Sequence, residues 1–321
     1  YKGIQGYSVQ KLSSDPAANS GSHGQLWYNS STGKFKINVG AAGAWSSGGA
    51  MNVVDKWVMG CFGTQSAGLA ATGAPAVPAG TTSETYNGTA WTEGNNNNTG
   101  RYGLGGAGST TAGIIFAGYP VPSTGDLTET YDGTSWAETA DLNTGRQYVM
   151  SAMAAPQATA LCMGGTPPVV GIAESWNGTS WTEVNDLNTA RQGGAGAGTG
   201  TAALCMGGTA GPGVTGATET YNGTSWSEDA DLNTAAGELA GCGATNTAAL
   251  IYSGSPPASG STRTESWNGT SWTALAVMAT TTYGRTSIGT SSLALAGGGY
   301  NSEATEEWND PVYTIKTVTV S

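Results

Sequence analysis

Three arginines, Arg101, Arg146 and Arg191, each stand ten residues after a tryptophan: Trp91, Trp136 and Trp181. Three aspartates, Asp141, Asp186 and Asp231, open Asp-Leu-Asn-Thr segments nearby. A guanidinium donates paired hydrogen bonds to planar anions, and a carboxylate accepts them from hydroxyl groups. Gathered at one mouth of a ring, these six side chains would form a polar cup for a glycan or an anionic group. The competing reading pairs each arginine with acidic or carbonyl groups of its own structural unit or the next. Repetition favours that reading, since a ligand site tends to break a repeat. The equivalent place in the following unit is Ala236, and in the last unit Arg285 is displaced.

Other chemistry is thinly represented. Glu84, Glu129, Glu174, Glu219 and Glu265 recur once per unit, which spreads them too widely for paired acid–base work. They read as solvated or backbone-bonded strand ends. Asp229-Ala-Asp231-Leu-Asn233 opens like a calcium loop, but position six is Thr234 and position twelve Ala240, so the turn glycine and bidentate glutamate are missing. A metal site or Ser-His-Asp triad would have to use the single histidine, His23, in a Gly/Ser-rich stretch. No cofactor, metal or catalytic residue is expected. Cys61, Cys162, Cys205 and Cys242 fall at places unsuited to pairing and read as small buried hydrophobes.

The elements that hold these residues come from a repeat. Glu84–Glu93 reads ETYNGTAWTE and returns as ETYDGTSWAE, ESWNGTSWTE, ETYNGTSWSE and ESWNGTSW. The second aromatic falls at 91, 136, 181, 226 and 272, a period of 45 or 46 residues. Asn-Gly or Asp-Gly between β-formers predicts a hairpin. Upstream runs such as Ala160-Leu-Cys-Met-Gly-Gly165 predict a buried strand with a sharp exit. Stretches of small residues such as Gly193–Gly198 predict a crowded inner strand. Four strands per unit, repeated, predict an all-β fold, a β-propeller of four-stranded blades. Trp308 holds the first-aromatic position of a sixth unit that lacks its last strand, because Pro311 diverts the chain. Trp45 lies 46 residues before Trp91, in register. Residues 42–48 are therefore expected to supply that strand, closing a six-bladed ring from the N-terminal side and removing an exposed edge.

Composition excludes further classes. The 321 residues include 52 Gly, 11 Trp and 13 Tyr, with 11 basic against 22 acidic side chains and a net charge of −11. Without a basic footprint, nucleic acid is not expected as a partner. No apolar run is long enough for a membrane helix, so no membrane insertion is expected. The chain begins at Tyr1 with no basic leader followed by an apolar stretch, which reads as a processed or partial start.

Residues 42–310 resemble kelch-repeat propellers. The likeness rests on the glycine doublets Gly164-Gly165, Gly207-Gly208 and Gly297-Gly298, the paired aromatics after them, and arginine opening the next unit. It departs from them in Ala117-Gly118, Ser253-Gly254 and the compact five-residue aromatic spacing. Such a resemblance implies a fold and no fixed activity. Residues 15–46 resemble a segment recurrent in bacteriophage structural and tail proteins, through Gly24-Gln-Leu-Trp-Tyr28-Asn, a Ser-Thr-Gly turn, Lys34-Phe-Lys-Ile37 and Trp45. The same stretch also suits a hairpin that merely begins the propeller.

The expected organisation is an N-terminal attachment segment or hairpin at 1–33, a six-bladed kelch-like propeller at 34–310, and a C-terminal strand at 311–321. That last strand holds Val312, Tyr313, Ile315, Val318 and Val320. It is free either to pair with another chain in an assembly or to tuck against its own propeller, beside the N-terminal hairpin. The expected function is a non-enzymatic structural, decoration or fibre protein of a phage virion. Its partners would be other virion proteins or copies of itself, engaged through the termini. The alternative is a secreted or cell-surface module, or host-adhesion module, that binds a glycan or receptor through loops of a propeller face. A propeller hydrolase or oxidase is disfavoured by the scarcity of histidine.

Overall fold

In each repeated hairpin the two aromatics face one another across the strands. Tyr86 pairs with Trp91, Tyr131 with Trp136, Trp176 with Trp181, Tyr221 with Trp226 and Trp267 with Trp272. The connecting asparagine makes the turn: Asn177 Oδ1 accepts from the Thr179 and Ser180 amides, both at 2.9 Å. Asp132 does the same in the second unit. Only the glycine takes positive φ, +92° at Gly178, so the connection is a four-residue loop rather than a two-residue turn.

The computed structural model describes residues 9–54, 56–74, 80–121, 123–256 and 258–319. It is all-β apart from short 3-10 turns at Ser20–Ser22 and Gln157–Thr159. Trp45–Trp308 forms one compact unit and the described parts of Tyr1–Ala44 and Asn309–Ser321 another.

Within the larger unit, each repeat folds into an antiparallel four-stranded sheet. The second sheet is typical, with Gly105–Ser109, Ala112–Phe116, Thr128–Tyr131 and Trp136–Glu138 in order. The first strands of the sheets touch one another in succession: Gly60–Thr64, Gly105–Ser109, Met150–Ser151, Ala195–Thr199, Ala240–Thr245 and Ile288–Gly289, the last touching the first. Small residues are required there. A Cβ at Gly106 would lie 2.7 Å from the Cys61 carbonyl oxygen, and one at Gly196 2.1 Å from that of Ser151. The second strands, such as Ala112–Phe116 and Ala202–Met206, are buried almost throughout. These features fit a β-propeller.

Ala44–Ser47 forms the outer strand of the sheet that also holds Ile288–Gly289, Leu293–Gly297 and Thr305–Asn309. The Trp45 ring lies 5.7 Å from that of Trp308 and 5.0 Å from that of Tyr252, and its Nε1 donates to Thr264 Oγ1 at 2.8 Å. Three other repeat tryptophans bond likewise, Trp91 donating to Thr305, Trp181 to Thr128 and Trp272 to Thr218, whereas Trp136 and Trp226 donate to the carbonyls of Asn95 and Asn185.

The smaller unit is a sheet ordered Gln10–Leu12, Leu26–Asn29, Lys34–Ala41 and Val312–Thr317. This moves the expected boundary. Lys34–Ala41, expected within the propeller, pairs with Leu26–Asn29 on one side and with Val312–Thr317 on the other. The propeller unit therefore starts at Trp45 rather than at residue 34. The C-terminal strand pairs with the N-terminal strand Lys34–Ala41 rather than with a propeller sheet, with Tyr313 opposite Gly40 and Ile315 opposite Asn38. Tyr313 also meets His23 edge-on at 5.5 Å. Val312 and Val318 are exposed, and Val320 lies outside the described residues.

All four cysteines are free and buried. Burial pushes the Cys61 and Cys162 thiols up to about 12, and raises those of Cys205 and Cys242 as well. An unfolded chain loses these protons above the ordinary 9.0 while the folded chain keeps them. The stability they confer is therefore complete below pH 9 and is lost as the pH rises toward about 12. Denaturant midpoints should fall between about pH 8 and 10.5, and less steeply in a Cys61→Ala/Cys162→Ala chain. Equal slopes in the two chains would remove the thiols as the cause.

Candidate functional site

Arg101, Arg146 and Arg191 do not form a cup. Each side chain is at most 1% exposed and faces a glutamate 28 residues further on: Glu129 and Glu174 at 2.5 Å, and Glu219 at 2.9 Å. The same glutamates accept backbone N–H groups from the preceding loop, from Asn98, Asn143 and Asn188 at 2.7–2.8 Å. Each pair thus ties a loop to the third strand of the next sheet, which is why the residues repeat. Of the two readings of the repeated glutamates, solvated or backbone-bonded, the second holds: all five are buried and accept backbone N–H groups. Asp141, Asp186 and Asp231 are exposed, so the six residues proposed as one ligand face are divided between interior and surface.

Variation at the arginine position follows the same logic. Lys56 stands there in the first unit, buried, with Nζ donating to the Thr82 carbonyl at 2.8 Å. Burial lowers its pKa to about 8. Arg285, displaced in sequence, still reaches Glu306 at 3.0 Å.

The stronger candidate lies where the chain enters the first strands. One residue per repeat, Val58, Gly103, Tyr148, Gly193, Glu238 and Gly284, has positive φ, between 47° and 74°. Their backbones are linked in series. Gly193 N–H donates to Tyr148 at 2.8 Å, Tyr148 to Gly103 at 2.7 Å and Gly103 to Val58 at 2.9 Å. The series continues from Val58 to Gly284 at 2.8 Å and from Gly284 to Glu238 at 3.1 Å. Side chains and glycines alternate along it, and crowding explains why. A Cβ at Gly103 would come within 3.0 Å of the Tyr148 nitrogen, and one at Gly284 within 3.3 Å of Val58 Cγ1. Holding valine, tyrosine and glutamate in the left-handed region costs about 1–2 kcal/mol each. Strain of this kind concentrates at functional positions.

Two walls surround these residues. On one side Trp57, Tyr102, Tyr119, Tyr283 and Tyr300 pack ring on ring, with Tyr283 and Tyr300 stacked at 4.9 Å and Trp57 edge-on to both. Tyr148 joins them through Tyr102 at 6.2 Å. On the other side stand Gln147 and Gln192, in isolated bridges with Thr166 and Thr209. The Oε1 atoms of both glutamines are buried without a hydrogen-bond partner among the described residues. Tyr148, Gln192, Gly193, Thr209 and Glu238 line a cavity of 170 Å³. A narrower cavity of 70 Å³ lies among Val58, Leu104, Val149, Leu239, Ser151 and Ser287, with Met153 also on its wall. Burial pushes the Glu238 carboxyl up. Burial also raises the Tyr148 hydroxyl, reinforced by Tyr102, Glu238 and Tyr283.

None of these residues was singled out from the sequence. The available signal was one register column, in which tyrosine and glutamate replace the glycine of the neighbouring repeats.

No protein-family model matches the chain, and no curated protein matches it. Its likeness is to solved structures, 344 chains in all, a number that marks a widely used fold. One of them, titled "Structure of YjhT", is 14% identical with a TM-score of 0.64, covering 83% of this chain and 99% of that one. At that identity the likeness concerns fold alone.

Proposed function

We propose that Trp45–Trp308 is a six-bladed, kelch-like propeller closed by Ala44–Ser47, and that the chain is a non-enzymatic structural or decoration protein of a phage virion. The ring would serve as an interaction scaffold and the terminal sheet as the attachment device. The observation that carries this reading is the meeting of both chain ends in one separate four-stranded sheet, with Val312–Thr317 at its edge. An edge strand with exposed valines is a template for pairing with another chain. The repeated arginines support the reading from the other side, because they are consumed in holding the sheets together. The resemblance of residues 15–46 to phage structural segments supports a virion setting, with other virion proteins or its own copies as the proposed partners.

Deleting residues 312–321 should abolish incorporation into particles or self-assembly while the ring still folds, as judged by an unchanged near-ultraviolet circular dichroism spectrum. Undiminished assembly of the truncated chain would end the proposal. A second reading, a module that binds a host-surface glycan or receptor, is favoured by the asymmetry of the aromatic and amide walls around Tyr148 and Glu238. Under it, the isolated protein would bind cells without any other virion component.

A further inference from the structure

We infer that the cavity beside Tyr148 and Glu238 binds a primary ammonium group carried on a saturated body, with the Glu238 carboxylate as its counter-ion. The inference rests on the second reading above only in using the same mouth, and is independent of how the terminal sheet is used.

Several observations converge on this ligand chemistry. Glu238 lines the 170 Å³ cavity and has no salt-bridge partner among the described residues. Arg285, which shares the wall of the narrower cavity with Glu238, is already committed to Glu306 at 3.0 Å. The wall also carries the Tyr148 and Thr209 hydroxyls and the Gln192 side chain, whose amide oxygen is buried with no hydrogen-bond partner among the described residues. Of the side chains lining this cavity Glu238 alone is charged, and its carboxylate can accept several donors at once. An ammonium group supplies three.

Tyr148 lines the same cavity and meets Tyr102 of the aromatic wall at 6.2 Å, and an aromatic ring attracts a cation that lies over it. Gly193, between Tyr148 and Glu238 in the backbone series, leaves the space between their side chains open. Anions are opposed here, while the net charge of −11 draws cations inward. Burial raises the Glu238 carboxyl, so an arriving cation recovers part of what desolvation cost.

Two sources carry this chemistry: a lysine side chain presented by a partner protein, and an amino sugar. The test is titration calorimetry of the full chain with Nα-acetyl-lysine methylamide, with glucosamine, and with N-acetylglucosamine as the sugar without a charge. At least one of the two amines should bind, and N-acetylglucosamine should bind about tenfold more weakly than glucosamine or not at all. Which amine binds more tightly identifies the source. Glu238→Gln should weaken amine binding about tenfold. Glu238→Gly should do the same, and its folding is safe because Gly103, Gly193 and Gly284 occupy the equivalent places. Gln192→Leu should weaken binding by a smaller factor. The inference is overturned if neither amine binds, if the uncharged sugar binds as well as glucosamine, or if both Glu238 variants retain wild-type affinity. None of these results touches the particle-incorporation assay of the truncated chain.

Discussion

Replacing Arg146 by methionine should cost about 3–5 kcal/mol of folding stability, although the residue touches no ligand cavity. Its guanidinium donates to Glu174 at 2.5 Å, to the Gly164 carbonyl at 2.8 Å and to the Thr144 carbonyl at 2.7 Å, all in the interior. Methionine fills much of the same volume, so the loss is electrostatic. It leaves the Glu174 carboxylate buried with only the neutral donors of Asn143 and Thr144. Adding Glu174→Gln should restore part of the stability, because the stranded charge is the main penalty. The fifth unit shows how a repeat manages without this arginine. There Ala236 takes its place, Glu265 accepts from the Asn233 backbone at 2.9 Å and from its side chain at 2.8 Å, and Arg263 contributes charge nearby. Urea denaturation of the single and double variants measures the effect. A single-variant loss below about 1 kcal/mol would mean that water reaches the carboxylate.

Trp45→Ala should cost about 3 kcal/mol, close to the figure for other large aromatic truncations. Its consequence should differ from that of the matching Trp136→Ala. Trp136 sits on a strand joined by a tight turn to its neighbour, so cutting away the ring thins a sheet whose strands remain tethered. Ala44–Ser47 has no such tether within its sheet and is held by pairing and by the contacts of Trp45 with Trp308, Tyr252 and Thr264. Losing the indole should therefore release the whole strand and expose the edge of Thr305–Asn309. Hydrogen exchange should rise across 44–47 and 305–309 in Trp45→Ala, whereas in Trp136→Ala protection should fall only globally. Equal local protection in the two variants would count against a ring fastened at this strand.

The strands were readable because tryptophan at a fixed period leaves little choice. Asn-Gly or Asp-Gly between two aromatics makes a hairpin in every copy, and Trp45 keeps register with them although the segment around it lacks that hairpin motif. Depth was not readable in the same way. A long arginine near a strand end reaches solvent or interior equally well, and only the partner decides. That partner was visible as a constant 28-residue spacing to glutamate, yet nothing in the spacing says that both groups are dry. The boundary at residue 34 failed for a related reason. The strand Lys34–Ala41 alternates in a way that suits any sheet, and its partner comes from the far end of the chain. The Tyr148 and Glu238 cavity was hidden because its residues stand far apart in sequence and become neighbours only through successive first strands.

The alternation of Val58, Tyr148 and Glu238 with Gly103, Gly193 and Gly284 has a combinatorial consequence. Along the axis the true period is two repeats, ninety residues, even though every other feature recurs at forty-five. Loss of one glycine-bearing copy by recombination, or gain of one bulky copy, would bring two bulky groups next to each other along this series. Copy number in such a chain is therefore constrained by parity, and copies are expected to be duplicated or deleted in pairs.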